Sequence, residues 1–389
     1  MNFHASRICA LMLAVSLASL FPSFAHAQIA VSANDGKSSL NDGKPEVPAT
    51  IAPDTVFLID LNQTPPKVVG EVQVPTSAVG PPMSVAVSRD ESFALVTGAM
   101  KVDPADSRKV ALNNKLSVID IKARPPAVLA TLEAGAGASG VAISPKGSPV
   151  LVANRADGTV SIFAASGKTL TPAGKIDFGA PTSGPSAIAF TPDGKTALVT
   201  RDGDNKVSVL AIDGDKVEYT KRDIGAGLRP YGIVMSPKGD VAIVADLGIN
   251  NGNGDTDTVS IVDVKARPPR TIDTVSVGPT PEGMALSPDG QYLALAVMNG
   301  SNKPKASPIF NDKGFLKVFR LRDRKLSPVA QADVGHWCQG VTFSKDNRKI
   351  LVQCMIENEI QVFDFDGKAL KRSGAIKASG PAGIGIAQR

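Results

Sequence analysis

One pattern recurs six times along this chain and limits what it can fold into. A small residue opens a short apolar-alternating run that ends in Ser/Thr-Pro-Asp/Lys-Gly. The clear copies are GVAISPKG (140–147), AIAFTPDG (187–194), GIVMSPKG (232–239) and GMALSPDG (283–290); SVAVSRDE (84–91) and GVTFSKDN (340–347) are looser. Their spacing is 45 to 57 residues. A second apolar run follows each copy, then a third (NKLSVID, GTVSIFA, NKVSVLA, DTVSIVD, GFLKVFR, NEIQVFD), then a weaker fourth. Period-two alternation rich in Val, Ile and Thr predicts strands, and the Pro-Asp-Gly triplets predict tight turns between antiparallel neighbours. Four strands per unit at this period is the signature of a β-propeller blade.

The ends complete the count. Six whole units run from about 80 to 380, and after them only GPAGIGIAQR remains, one first strand. Near the other end stand QIAVSAND, which reads as a second strand, DTVFLIDL (54–61) as a third and KVVGEVQV (67–74) as a fourth. The two ends together predict a seventh blade, whose closure removes the open edges of the ring. The expected fold is therefore an all-β, seven-bladed propeller occupying residues 28–389 as one domain. A loop over 35–53 must join its second and third strands.

The first 27 residues read as an export signal peptide: Arg7, a short apolar core, and AHA at 25–27 before Gln28. Losing Arg7 lowers the net charge of +5 to +4. No Lys/Arg block and few aromatics argue against nucleic acid as a partner. No other stretch is long and apolar enough to span a bilayer. The expected product is a periplasmic or secreted monomer, bound to no cofactor, in a compartment that permits a disulfide between Cys338 and Cys354.

A second repeat, VIDIKARPP (118–126) and IVDVKARPP (261–269), with LIDLNQTPP (58–66) as a variant, places Pro-Pro where strands three and four turn. LVANRADGTVSIF (151–163), LVTRDGDNKVSVL (198–210) and IVADLGINNGNGDTDTVSIVD (243–263) resemble the YVTN-repeat propellers, whose hallmark is Tyr-Val-Thr-Asn, a short turn, then Val-Ser-Val-Ile-Asp. Leu or Ile stands in place of the Tyr. Propellers similar to these include lactonases of the 6-phosphogluconolactonase type and electron-transfer subunits, so the resemblance implies the fold and leaves the activity open.

Ligand sites on such scaffolds lie in loops at one mouth of the ring. Aligned by their first strands, the blades present Met83, Ser139, Ser186, Tyr231, Glu282, Gln339 and Ala382 there, with Arg229, His336, Trp337 and Cys338 just before and Arg155, Arg201, Asp202, Asp246 and Glu357 in the loops after strand two. Blades two to six are the polar side. Long loops at 99–114, 247–257 and 299–314 share this face. His336, Glu282 and Arg229 are the candidate catalytic group: a base or water activator with an arginine for an oxyanion. Arg155, Arg201, Tyr231, Asp246, Trp337 and Gln339 are candidate ligand-binding residues. His336 with the two cysteines is too thin a set for a metal, and a disulfide abolishes it. DLGINNGNGDTD (246–257) is rich in oxygen ligands without EF-hand spacing. The expected role is binding of a small molecule or a periplasmic protein partner at the mouth. The alternatives are a lactonase-like hydrolase and a partner subunit in periplasmic electron transfer.

Overall fold

The computed structural model describes residues 28–249 and 253–388, so the expected signal peptide lies outside the described residues. Seven four-stranded sheets form the body, and in six of them the strands follow one another outward in chain order. The inner strands are Val85–Val87, Ala138–Ile143, Pro185–Phe190, Pro230–Met235, Pro281–Leu286, Cys338–Phe343 and Pro381–Ile386. Each touches the next, and the last touches the first, so the blades close into a seven-bladed β-propeller. In the seventh blade Pro381–Ile386 is innermost, followed by Ile29–Asn34, Thr55–Asp60 and Lys67–Gln73. Ala30 lies opposite Ile386 and Val31 opposite Gly385, so the chain ends are joined by a regular ladder.

Burial follows position in the blade. Ile29–Asn34 and Val150–Asn154, both second strands, are buried throughout, because neighbouring blades cover both of their faces. The outermost Lys67–Gln73 is mostly exposed. The near-continuous apolar character of the second runs (VLVAN, VAIVAD, KILVQC) has this cause.

The repeated turns have one chemistry. Ser287 Oγ donates to Asp289 Oδ1 at 2.6 Å while the Gly290 amide donates to the Ser287 carbonyl, and Gly290 takes a φ of 73° that favours glycine. Thr191, Asp193 and Gly194 repeat this arrangement. The Lys-Ala-Arg-Pro-Pro segments are turns as well. Asp120 accepts the Lys122 and Ala123 amides, and Arg124 Nη1 donates back to the Ile121 and Ala123 carbonyls. Asp263 and Arg267 do the same in blade four.

The small residue that opens each repeat sits where neighbouring inner strands meet. A Cβ on Gly140 would lie 2.6 Å from the Ser186 carbonyl, on Gly232 2.9 Å from that of Glu282, and on Gly340 2.9 Å from that of Ala382; on Gly283 it would collide with the Gln339 carbonyl.

The expected loop at 35–53 contains a hairpin, Ser39–Asn41 paired with Lys44–Glu46. It runs from blade seven to blade five. Leu40 packs on the apolar cluster of Met298, Trp337, Met355 and Ala382, and Asp42 Oδ1 accepts the Lys305 amide at 2.8 Å. Among the described residues no helix is long and apolar enough to cross a membrane.

Gly283→Ala is expected to cost about 1–3 kcal/mol through overpacking. Gly374→Ala, on an outer strand with open space around its Cβ direction, should change stability by less than about 0.5 kcal/mol. Denaturant melts of both variants check this; equal effects would show that the inner approach is not tight.

Candidate functional site

Each inner strand is preceded by a residue in the left-handed region. In blades two, three and seven this is Gly137, Gly184 and Gly380; in blades four, five and six it is Arg229 (φ 54°), Thr280 (φ 56°) and Trp337 (φ 48°); in blade one the left-handed pair is Val79 (φ 69°) and Gly80, a few residues before Val85. A non-glycine residue there costs of order 1 kcal/mol. At blades four, five and six the side chain directly before the strand is kept in spite of the backbone.

Arg229 keeps its side chain in a cluster built from four blades. Arg155, after the second strand of blade two, donates through Nε to Asp202 Oδ2 at 3.0 Å, and its Nη2 bonds the same oxygen. Arg229 Nη2 reaches that oxygen at 3.5 Å. The Arg155 guanidinium lies 5.5 Å from the centre of the Tyr231 ring. Glu282, on the first strand of blade five, is only 7% exposed. Burial pushes its carboxyl up to about 8, against the pull of Arg155 and Arg229 in the other direction. Its Oε2 has no hydrogen-bond partner. Burial likewise pushes the Tyr231 phenol up. The side chains of Arg155 and Arg229 are 41% and 26% exposed, so solvent meets the guanidiniums first and the carboxyl behind them.

The expected catalytic group is divided by the structure. Glu282 has Arg155 and Arg229 as its charged neighbours, whereas His336 belongs to a second cluster. His336 Nδ1 lies 2.7 Å from Glu357 Oε1, Nε2 lies 3.2 Å from Asp312 Oδ1, and the His336 amide donates to both Glu357 oxygens. Both ring nitrogens therefore face carboxylates on the rim of blades five and six.

Three expected ligand-binding residues are spent on the fold. Arg201 is buried; its Nη1 donates to Ser208 and Tyr219, its Nη2 to Ser183, and it lies over the Phe178 ring at 4.5 Å. Asp246 accepts the Thr258 and Ser260 hydroxyls, both at 2.8 Å, and burial pushes its carboxyl up to about 6. Asn154 and Asn34 hold the same position at the end of a second strand and bond third-strand hydroxyls in the same way, so this position is a structural clasp. Trp337 is 5% exposed and packs beneath the hairpin at 39–46. Gln339 is also buried, with Nε2 toward the Val79 carbonyl, while its Oε1 has no partner. Asp202, the centre of the arginine cluster, follows Arg201 in sequence, and nothing in the pattern ranks it above its neighbours. Of the loop at 246–257, residues 250–252 lie outside the described residues.

Cys338 and Cys354 face each other across the first two strands of blade six and form a disulfide. Both sulfurs are thereby consumed, and the grouping of Cys338, Cys354 and Glu357 offers a cation only one carboxylate.

Fold and site together define a closed seven-bladed propeller with a polar mouth. A family model described as "Lactonase, 7-bladed beta-propeller" matches residues 113–225, from the third strand of blade one to the end of blade three. No curated protein matches the chain in sequence. Among solved structures, the chain is similar to a candidate 6-phosphogluconolactonase from Bacteroides fragilis NCTC 9343 (17% identity, 94% of this chain and 99% of that one, TM-score 0.70). It is also similar to a periplasmic gluconolactonase of Pseudomonas aeruginosa (16%, 92% and 98%, TM-score 0.67). A protein of unknown function from Desulfotomaculum acetoxidans DSM 771 superposes as well (18%, 93% and 99%, TM-score 0.68). At these identities the likeness is one of fold.

Two outcomes are expected. The Glu282 carboxyl is raised in the folded state, so its contribution to stability is fully present below its ordinary value near 4.5 and is lost as pH rises to about 8. In Glu282→Gln that loss disappears, and the variant gains on the parent protein between pH 5 and 8, by thermal melts. Replacing Cys338 and Cys354 together by Ala should cost about 3 kcal/mol, the value for a loop near this length; the parent protein under reductant should melt at the same temperature as the double variant.

Proposed function

We propose that the mouth binds a small organic anion or lactone through Arg155 and Arg229, and that the reaction there is lactone hydrolysis in an exported protein. The observation that carries this reading is the buried Glu282 carboxyl with an unpartnered oxygen behind two arginines. The family match over residues 113–225 and the fold shared with gluconolactonases support the substrate class. The disulfide supports export.

The chemistry follows from the charges. Water adds to the lactone carbonyl, and the guanidiniums stabilise the tetrahedral oxyanion. The ring C–O bond then breaks as protonated Glu282 gives its proton to the departing ring oxygen. The adduct keeps both protons of the added water until Glu282, now a carboxylate, takes one of them back, leaving a hydroxy acid. A carboxyl near 8 is mostly protonated at neutral pH, and the product carboxylate forms beside two cations.

The test is acid release from glucono-δ-lactone and from 6-phosphogluconolactone. Arg229→Gly is the informative variant, because glycine relieves the left-handed backbone. It should fold at least as stably as the parent protein and lose about 100-fold or more in kcat/KM. Glu282→Gln should lose a factor of about 10²–10⁴, together with any pH inflection near 8. Turnover of both lactones undisturbed by either change would sink the reading.

A further inference from the structure

The axis of the ring holds a cavity of about 200 Å³ to which all seven inner strands contribute. Its wall carries apolar side chains, Val85, Ile143, Phe190, Met235, Leu286 and Ile386 among others, interspersed with polar residues that include Ser144, Ser236, Ser287 and Thr342. Four of these six (Ile143, Met235, Leu286 and Ile386) are only half-buried, although they lie at the centre of the molecule. They keep apolar surface toward the axis because seven blades leave a gap that their side chains do not fill. The volume is larger than the ~150 Å³ cavity that accepts a benzene-sized guest.

The far end of the cavity, opposite the mouth, is ringed by the Ser/Thr-Pro-Asp/Lys-Gly turns. Its charged lining residues are Arg89 and Lys345, with no carboxylate among the lining residues. The acids of these turns are turned away: Asp90, Asp193, Asp289 and Asp346 each accept a hydroxyl of their own turn. Lys345 Nζ is paired with Glu91 at 2.9 Å. Arg89 is exposed and, among the described residues, has no hydrogen-bond or ion-pair partner.

We propose that the axial cavity is a second binding site, independent of the mouth, for a medium-chain aliphatic carboxylate: the hydrocarbon tail lies along the axis and the carboxylate pairs with Arg89 at the far rim. The apolar side chains supply affinity without direction, and Arg89 at the rim, unpaired among the described residues, fixes polarity.

The test is calorimetric titration of the purified protein with sodium butanoate, hexanoate and octanoate. Saturable one-to-one binding is expected, tightening about fourfold per methylene, the factor equivalent to ~0.8 kcal/mol per buried CH₂. Arg89→Glu, a surface change that leaves the core intact, should weaken octanoate about tenfold. Absence of saturation in the millimolar range, affinity independent of chain length, or indifference to Arg89→Glu would each overturn the proposal. Loss of octanoate binding in the Arg155→Ala, Arg229→Ala double variant would also overturn it, by placing the carboxylate at the mouth. The readout is direct binding at the opposite end of the ring, so failure here leaves the lactone reading standing, and the reverse.

Discussion

Neighbouring inner strands meet backbone to side at the small residue that opens each repeat, and the rest of the molecule depends on that approach. Gly283 leaves no room for a Cβ beneath the Gln339 carbonyl, and Gly140, Gly232 and Gly340 stand in similar places. A methyl group at Gly140, Gly232 or Gly283 would meet a neighbouring backbone carbonyl first, and at Gly340 it would also meet the Gln353 side chain. The approach sets the width of the axis and brings Arg155 of blade two and Arg229 of blade four within reach of Asp202 in blade three. Seven blades at this spacing close only because Pro381–Ile386 lies between Ile29–Asn34 and the inner strand of blade one. The bridge between Val87 and Ala387 marks that closure.

The mouth built on this ring is divided. On blades five to seven, the hairpin at 39–46, the segment around Lys305 and the buried Trp337, Met298 and Met355 form an apolar cover, and the disulfide ties the strands below it. On blades two to five, the guanidiniums of Arg155 and Arg229 are partly exposed. The division has an electrostatic consequence. Asp202 already takes both guanidiniums, so their charge is only partly available to Glu282, and desolvation wins there. An incoming anion would compete with Asp202 for the same donors. Under the proposed function, its arrival would be coupled to the charge state of Glu282 through the two guanidiniums that share Asp202 Oδ2.

Much of the architecture was legible because a propeller repeats its local rules. Period-two runs, hydroxyl-acid turns and Pro-Pro corners recur in register, so an error in one blade is corrected by the next. Even the seventh blade, shared between the two ends, could be counted, and the facing cysteines followed from the hairpin turn. The site was less legible, since its residues lie where the repeat breaks. Arg201 and Asp202 are adjacent, yet one is locked into blade three and the other organises the mouth, because alternate residues leave a strand end in opposite directions. Trp337 was a candidate ligand-binding residue; it packs with Leu40, from a distant part of the chain, whose hairpin read only as a loop joining two strands.

The left-handed residues before the inner strands were open to the same reasoning and carry the clearest functional signal. Where only conformation matters the chain uses glycine, as at Gly137, Gly184 and Gly380. At blades four, five and six it places Arg229, Thr280 and Trp337 in the same backbone geometry. Such a choice is retained only if the side chain returns more than the strain takes. For Trp337 the return is packing under the cover. Arg229 keeps a partly exposed guanidinium whose Nη2 shares the Asp202 carboxylate with Arg155, so here the strained backbone carries a charge to the mouth.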